Sequence, residues 1–126
     1  MKIKIYKELI FLIFLSLIFN FSTINTVPVL DRDEARYAQA TKQMIETGNY
    51  SSIKFQEQLR SKKPTGIYWL QSVSVNIFSA DNRDKSLNKI WKYRFVSSLF
   101  SLISSIALFL IGLKIFKKKS AFLGAI

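Results

Sequence analysis

Two long stretches without a charged residue constrain this chain more than any other feature of its sequence. The first runs from Leu9 to Leu30 and the second from Phe95 to Leu113. The hydrocarbon core of a bilayer is about 30 Å thick, and about 20 helical residues cross it. Both stretches are long enough to do so. The sequence therefore predicts an all-α integral membrane protein.

The predicted organisation divides the 126 residues into four parts. These are a first span over about 9–30, a polar loop with amphipathic helices over 31–94, a second span over about 95–116, and the start of a third span over 120–126. The last part is apolar but too short to cross a bilayer. We expect such a chain to be the N-terminal fragment of a longer, multi-pass protein.

Flanking cations predict how the spans are oriented. Lysines precede the first span at positions 2, 4 and 7 and follow the second span at positions 114 and 117–119. Lys and Arg are enriched on the cytoplasmic side of membrane spans. Both ends of the chain should therefore be cytoplasmic, and the 31–94 loop should be extracytoplasmic.

The overall composition also fits a soluble alternative. The chain has 19 Lys and Arg against 8 Asp and Glu, and its net charge of +11 would suit a secreted protein that binds nucleic acid. Such a protein would require the first stretch to be a cleaved signal peptide, but residues 20–26 contain no clear small-x-small cleavage site. The uncharged second stretch argues further against this alternative, so we expect no nucleic-acid partner.

Two residue types are missing, and their absence restricts the chemistry. The chain has neither cysteine nor histidine. Disulfides and thiolate metal sites are therefore excluded. Any proton transfer by this segment must use a carboxylate, a Lys or a Tyr.

The loop begins with a predicted helix that carries an acidic pair. Acidic residues crowd its first turn, apolar residues recur at helical spacing as far as Ile45, and Gly48 supplies a stop. Asp33 and Glu34 could simply cap the free N–H groups of this first turn. Alternatively, one of the two carboxylates is a general base at the membrane surface that accepts a proton from a hydroxyl or an amine, while its neighbour orients it.

A basic cluster precedes the second helical segment of the loop. Arg60, Lys62 and Lys63 stand before Pro64, which suits the first turn of a helix. The aromatic-rich stretch 67–78 is too short to span a bilayer, which favours an interfacial or re-entrant helix. The cations could face lipid headgroups. Alternatively, Arg60 and Lys63 could bind a phosphate together with the unpaired N–H groups at the helix start.

Several of these motifs together resemble one enzyme superfamily. They are Asp33-Glu34-Ala35-Arg36-Tyr37-Ala38, Met44 with Gly48-Asn49-Tyr50, Lys63-Pro64, and Ile67-Tyr68-Trp69-Leu70. In this combination and spacing the segment resembles the N-terminal region of the lipid-linked-sugar glycosyltransferases, which include the lipid A aminoarabinose transferases and the protein O-mannosyltransferases. The resemblance runs from the first stretch through the second.

The resemblance implies a polytopic GT-C fold in the bacterial inner membrane, with the active site on the periplasmic side. It also implies an inverting transfer of a sugar from a polyprenyl-phosphate donor to lipid A, another glycan or a protein, for which this fragment alone would be inactive. The family's loop acid corresponds to Asp33 and its loop lysine to Lys63. Aminoarabinose transferases often have a Glu, considered a metal ligand, where this chain has Lys62. An ammonium group cannot bind a metal cation, so this segment does not support a metal cofactor.

A function of a different class fits the same spans. The chain could belong to a non-catalytic membrane anchor whose basic loop binds anionic lipid or a partner protein. An enzyme of the superfamily needs several further spans, whereas an anchor does not. The number of spans that follow residue 126 therefore distinguishes the two hypotheses.

Overall fold

The computed structural model describes residues 2–61, 63–79 and 87–126, with side chains from Tyr6 onward. Its helices are α1 (Lys2–Phe21), α2 (Arg32–Thr47), α3 (Gly66–Ile77), α4 (Trp91–Ile115) and α5 (Lys118–Leu123), and its strands are β1 (Lys54–Phe55) and β2 (Gln58–Leu59). The described chain is thus mostly helical, as predicted. It forms two compact units, one comprising the residues up to Thr23 with Ser97–Ile126 and the other comprising Ile24–Val96.

Helix α4 corresponds to the predicted second span. Among the described residues it is the one helix that is long and apolar enough to cross a membrane. Only 17% of its apolar stretch is buried within the protein. A helix that is apolar all round is expected to be either a buried core helix or a membrane span, and this low burial favours the span.

Helix α1 covers the predicted first span only as far as Phe21, and a turn follows it. Polar residues are concentrated between Asn20 and Thr26, and the side chains of Ser, Thr and Asn compete with helical backbone hydrogen bonds. The Asn20 side chain already donates to the carbonyl oxygen of Ser16 at 2.8 Å. Because the uncharged part of α1 is shorter than the length that crosses a bilayer, a first membrane span stays a prediction.

The first unit has a small apolar core. Leu12, Phe109, Ala121 and Ala125 are buried together. Gly112 allows a close approach here, because a Cβ atom at this position would lie 3.0 Å from the Cβ of Ala121. The short helix α5 therefore packs directly on α4.

Helix α2 opens the second unit, and the structure confirms the predicted stop at Gly48. Asp31 is the N-cap residue, and its side chain accepts a hydrogen bond from the backbone N–H of Asp33 at 3.0 Å. Gly48 ends the helix in the left-handed conformation, with φ of 68°, which glycine adopts without steric cost. The capping role therefore belongs to Asp31, and the carboxylates of Asp33 and Glu34 are available for other contacts.

A short hairpin follows, and no turn motif in the sequence predicts it. Its strands pair antiparallel, with Lys54 opposite Leu59 and Phe55 opposite Gln58. Gln56 in the turn has φ of 58°, a conformation that Gly or Asn usually supplies in tight hairpins. Here the side-chain amide of Gln43 on α2 bonds both the carbonyl and the N–H of Gln56, at 2.8 and 2.9 Å. This tertiary contact holds the turn.

The start of α3 differs from the prediction. The backbone N–H groups of Tyr68 and Trp69 both bond the carbonyl oxygen of Thr65, at 3.1 and 3.3 Å. Thr65 is therefore the N-cap residue, because the N-cap carbonyl accepts the first helical bonds. The prediction that Pro64 lies in the first helical turn is wrong, since Pro64 precedes the cap.

A buried hydrogen bond joins α2 to α3, and it gives a testable contribution to stability. The Thr41 hydroxyl donates to the side-chain oxygen of Gln71 at 2.7 Å. Thr41→Val preserves the shape and leaves that oxygen without its donor, so we expect a loss of about 1–3 kcal/mol in folding free energy. Thermal unfolding of the detergent-solubilised protein measures it. Thr47→Val is the control, because the Thr47 hydroxyl is exposed and bonds a carbonyl of its own helix. Equal losses in both variants would contradict the expectation.

Candidate functional site

One cavity in the second unit brings together most of the residues that the sequence predicts to be functional. Its volume is about 360 Å³, within the range of small-ligand pockets. The lining residues come from α2, the hairpin and the segment after it: Asp33, Arg36, Phe55, Gln58, Leu59, Arg60, Ser61 and Lys63. Asp33, Arg60 and Lys63 are therefore close together, as a donor and acceptor site would require.

Asp33 lies in the first turn of α2, and its carboxylate is near two cations. One carboxylate oxygen is 3.6 Å from a guanidinium nitrogen of Arg36, and the other is 3.8 Å from the ammonium nitrogen of Lys63. Both distances exceed those of strong hydrogen bonds. The Asp33 side chain is 48% exposed, so an incoming hydroxyl or amine can reach it.

The charge of the cavity favours an anionic ligand. Three of the lining residues are cations, Arg36, Arg60 and Lys63, and one is a carboxylate, Asp33. An Arg guanidinium and a Lys ammonium both bind phosphate, the first as a planar fork and the second as a point charge. A phosphate-linked substrate is thus electrostatically complementary to this surface.

Arg60 is held in place by aromatic side chains. Its guanidinium carbon lies 5.1 Å from the centre of the Tyr37 ring and 6.0 Å from that of Phe55. These distances fit cation–π contacts. The Nε–H of Arg60 also donates to the hydroxyl oxygen of the buried Tyr68. Arg60 is thereby oriented before any ligand arrives.

Tyr68 serves this arrangement as a neutral acceptor. Burial raises the pKa of the Tyr68 phenol, and the hydrogen bond from Arg60 opposes that rise. The phenol therefore stays protonated at neutral pH. It contributes a hydrogen-bond acceptor for Arg60 and carries no negative charge that would compete with an anionic ligand.

Lys63 lines the cavity, whereas the start of α3 does not. None of the described residues from Thr65 to Tyr68 is among the lining residues. An anion in this cavity would consequently be bound by side-chain cations and not by the helix N–H groups that the sequence suggests. The neighbouring Lys62 lies outside the described residues.

Glu34 is placed differently from Asp33. It does not line the cavity, and its carboxylate accepts hydrogen bonds from Arg94 on α4, one of them at 3.1 Å. Glu34 is therefore part of an ion pair, with 30% of its side chain exposed. This position suits an orienting role better than direct contact with a substrate.

Sequence reasoning did not identify two of the arginines. Arg36 stands three residues after Asp33, a spacing at which side chains meet on one helix face, so the spacing alone could have identified it. Arg94 is far from Glu34 in sequence, and no local pattern connects them. No cluster of three or more His, Cys, Asp or Glu side chains that could hold a metal ion occurs in the part of the chain that the structure describes.

The chain is similar to three bacterial proteins that are named as arabinosyl transferases. It is 30% identical over 118 residues to the undecaprenyl phosphate-alpha-4-amino-4-deoxy-L-arabinose arabinosyl transferase of Wigglesworthia glossinidia brevipalpis, a match that covers 94% of this chain and 20% of that protein. It is 27% identical over 100 residues to the protein of the same name from Aeromonas hydrophila, covering 79% of this chain and 17% of that protein. A third relative, from Pseudomonas fluorescens, is 28% identical over 86 residues, covering 68% of this chain and 14% of that protein.

The similarity covers only a small part of each relative. The chain spans about a fifth of the length of the Wigglesworthia relative, and less of the other two. No family model and no solved structure matches it. All three relatives are named as arabinosyl transferases of an undecaprenyl phosphate-linked aminoarabinose. The 118-residue match leaves out so little of this chain that it includes the cavity residues Asp33, Arg60 and Lys63.

Proposed function

We propose that this chain is the N-terminal part of an inner-membrane glycosyltransferase of the GT-C superfamily. The enzyme transfers a sugar from a polyprenyl-phosphate donor to lipid A, another glycan or a protein. The proposal rests on one cavity, in which an exposed carboxylate, Asp33, lies beside the cations Arg60 and Lys63. Similarity to three arabinosyl transferases that are named for an undecaprenyl-phosphate donor supports it.

The cavity supplies the two functions that such a transfer needs. The Asp33 carboxylate accepts the proton of the acceptor hydroxyl or amine as that group attacks the anomeric carbon of the sugar. The bond between this carbon and the phosphate oxygen breaks, and the polyprenyl phosphate leaves with the electron pair. Lys63 and Arg60 stabilise the negative charge that grows on the phosphate. Attack opposite the leaving group inverts the anomeric centre.

The site also fits the size of the reacting groups. A cavity of about 360 Å³ accommodates a sugar phosphate, while a polyprenyl chain requires the bilayer. Further spans of a full-length enzyme would hold that chain and the acceptor. We therefore expect activity from the full-length protein and not from these 126 residues.

Turnover of a lipid-linked donor tests the proposal. The purified full-length protein is incubated with a sugar linked to undecaprenyl phosphate and an acceptor lipid, and free undecaprenyl phosphate is measured. We expect its protein-dependent release. The alternative of a non-catalytic anchor with a basic, lipid-binding loop predicts vesicle binding without any release, and that result would replace the proposed function.

The orientation of the loop gives a separate prediction. The chain has no cysteine, so single cysteines are unambiguous reporters. Ser51 and Ser120 are both exposed, and they lie in the loop and after α4 respectively. We expect Ser51→Cys to react with a membrane-impermeant maleimide in intact, outer-membrane-permeabilised cells. Ser120→Cys should react only after lysis, because flanking lysines favour the cytoplasmic side. The reverse labelling pattern would overturn this topology.

A further inference from the structure

Arg94, in the first turn of α4, has every N–H donor of its guanidinium group matched by an acceptor. It donates to both carboxylate oxygens of Glu34 and to the backbone carbonyl oxygens of Ile24, Val27 and Pro28. Arg carries five such donors in a fixed planar fork. The Arg94 side chain is only 16% exposed, so water competes little with these contacts. We call this set of contacts the Arg94 clasp.

The Arg94 clasp fixes both sides of the turn that carries Asp33. Ile24, Val27 and Pro28 belong to the segment that leads into the N-cap residue Asp31, and Glu34 directly follows Asp33. Helix ends fray unless other contacts hold them. The N-terminal end of α2 is thus restrained from a point outside the cavity.

Asp33 depends on this restraint, because its own contacts are long. Its carboxylate oxygens are 3.6 Å from Arg36 and 3.8 Å from Lys63. Exposed ion pairs at such distances contribute little to geometry or stability. The backbone that Glu34 and the capping segment hold therefore determines where the Asp33 carboxylate lies.

We propose that Arg94 is a positioning residue for Asp33, acting through Glu34 and the 24–28 segment. This inference rests on the proposed function, in which Asp33 must lie within reach of the acceptor proton. A carboxylate displaced by about 1 Å can lower the rate of a positioned reaction about 100-fold. We expect binding of the donor phosphate to depend little on the clasp, because Arg60 is oriented by Tyr37, Phe55 and Tyr68, which are not part of it.

Kinetics of Arg94 variants in the full-length enzyme test the positioning role. Arg94→Lys retains the charge but replaces the planar fork with a single ammonium group, which cannot match all five contacts. We expect kcat per folded molecule to fall about 10- to 100-fold in Arg94→Lys and Arg94→Ala, with the KM for the donor changed less than about threefold. Glu34→Gln should be milder, because its amide oxygen still accepts one bond from Arg94. Arg32→Lys is the matched control, since Arg32 is an exposed arginine in the first turn of α2, the turn that carries Asp33.

Hydrogen exchange supplies a readout that is independent of activity. The Ala35 amide bonds the carbonyl oxygen of Asp31 at 3.2 Å and reports opening of the first turn of α2. We expect faster exchange in Arg94→Lys, confined to residues 32–36, and unchanged exchange in Arg32→Lys. Unchanged exchange in Arg94→Lys would overturn the proposal. So would a kcat of this variant within about twofold of wild type, because a displaced Asp33 carboxylate should lower the rate more than that. If the wild-type protein has no transferase activity, the proposed function is wrong. Hydrogen exchange alone then decides whether the Arg94 clasp holds the first turn of α2.

Discussion

Asp33→Asn should reduce sugar transfer by the full-length enzyme about 100- to 10,000-fold, the usual contribution of a general base. The amide has nearly the same shape as the carboxylate but cannot accept a proton at neutral pH. The loss should appear mainly in kcat, because the cations that bind the donor phosphate remain in place. Transfer of a labelled sugar from a purified undecaprenyl-phosphate donor, at saturating donor and matched protein levels, measures it.

The matched control for Asp33→Asn lies on the same helix. Glu46 is an acid whose side chain is 47% exposed, against 48% for Asp33, and it also pairs loosely with a lysine, at 3.8 Å. Glu46→Gln therefore removes an equivalent surface charge outside the cavity, and we expect nearly normal transfer. Near-normal transfer by Asp33→Asn would reject its role as base. An equal loss in both variants would attribute the effect to surface charge.

Lys63→Ala should lower turnover about 100- to 1,000-fold, as removal of a single charged or polar stabilising group from an active site typically does. The ammonium of Lys63 would stabilise the leaving phosphate more in the transition state than in the bound donor, so kcat should fall. Lys63→Arg should retain part of the activity, because the charge survives while the geometry changes. Single-turnover transfer with the lipid-linked donor separates this chemical step from product release.

Lys54→Ala is the control for Lys63→Ala. Lys54 lies on β1 in the same unit, is exposed, and does not line the cavity. If the basic loop merely attracts anionic lipid, both variants should show equal and small losses. A selective loss in Lys63→Ala supports a phosphate site at this residue.

Local sequence signals predicted α2 and α4 well. Asp31 and Gly48 bound α2 at the positions where a capping acid and a terminal glycine are expected. The uncharged stretch after Arg94 likewise coincides with α4. These features depend on a few neighbouring residues, so the sequence contains the necessary information.

Features that depend on tertiary contacts could not be predicted in the same way. The β1–β2 turn relies on the Gln43 side chain from another element. For the candidate site, residue types and spacing suggested an acid at Asp33 and a basic pair at Arg60 and Lys63, but only the fold brings the pair beside the acid. The separate role of Glu34 follows from Arg94, which no spacing in the sequence connects to it.

Photo-crosslinking determines whether the cavity beside Asp33 binds the donor phosphate. A photoreactive benzophenone amino acid is introduced at Leu59, which lines the cavity, and separately at Glu57, which is exposed in the same hairpin but does not line it. Each full-length variant is irradiated in vesicles with radiolabelled undecaprenyl phosphate.

We predict crosslinking from position 59 that unlabelled undecaprenyl phosphate abolishes and that Lys63→Ala strongly reduces, with little crosslinking from position 57. Equal crosslinking from both positions, or crosslinking from position 59 that Lys63→Ala leaves unchanged, would contradict the assignment of this cavity as the donor site.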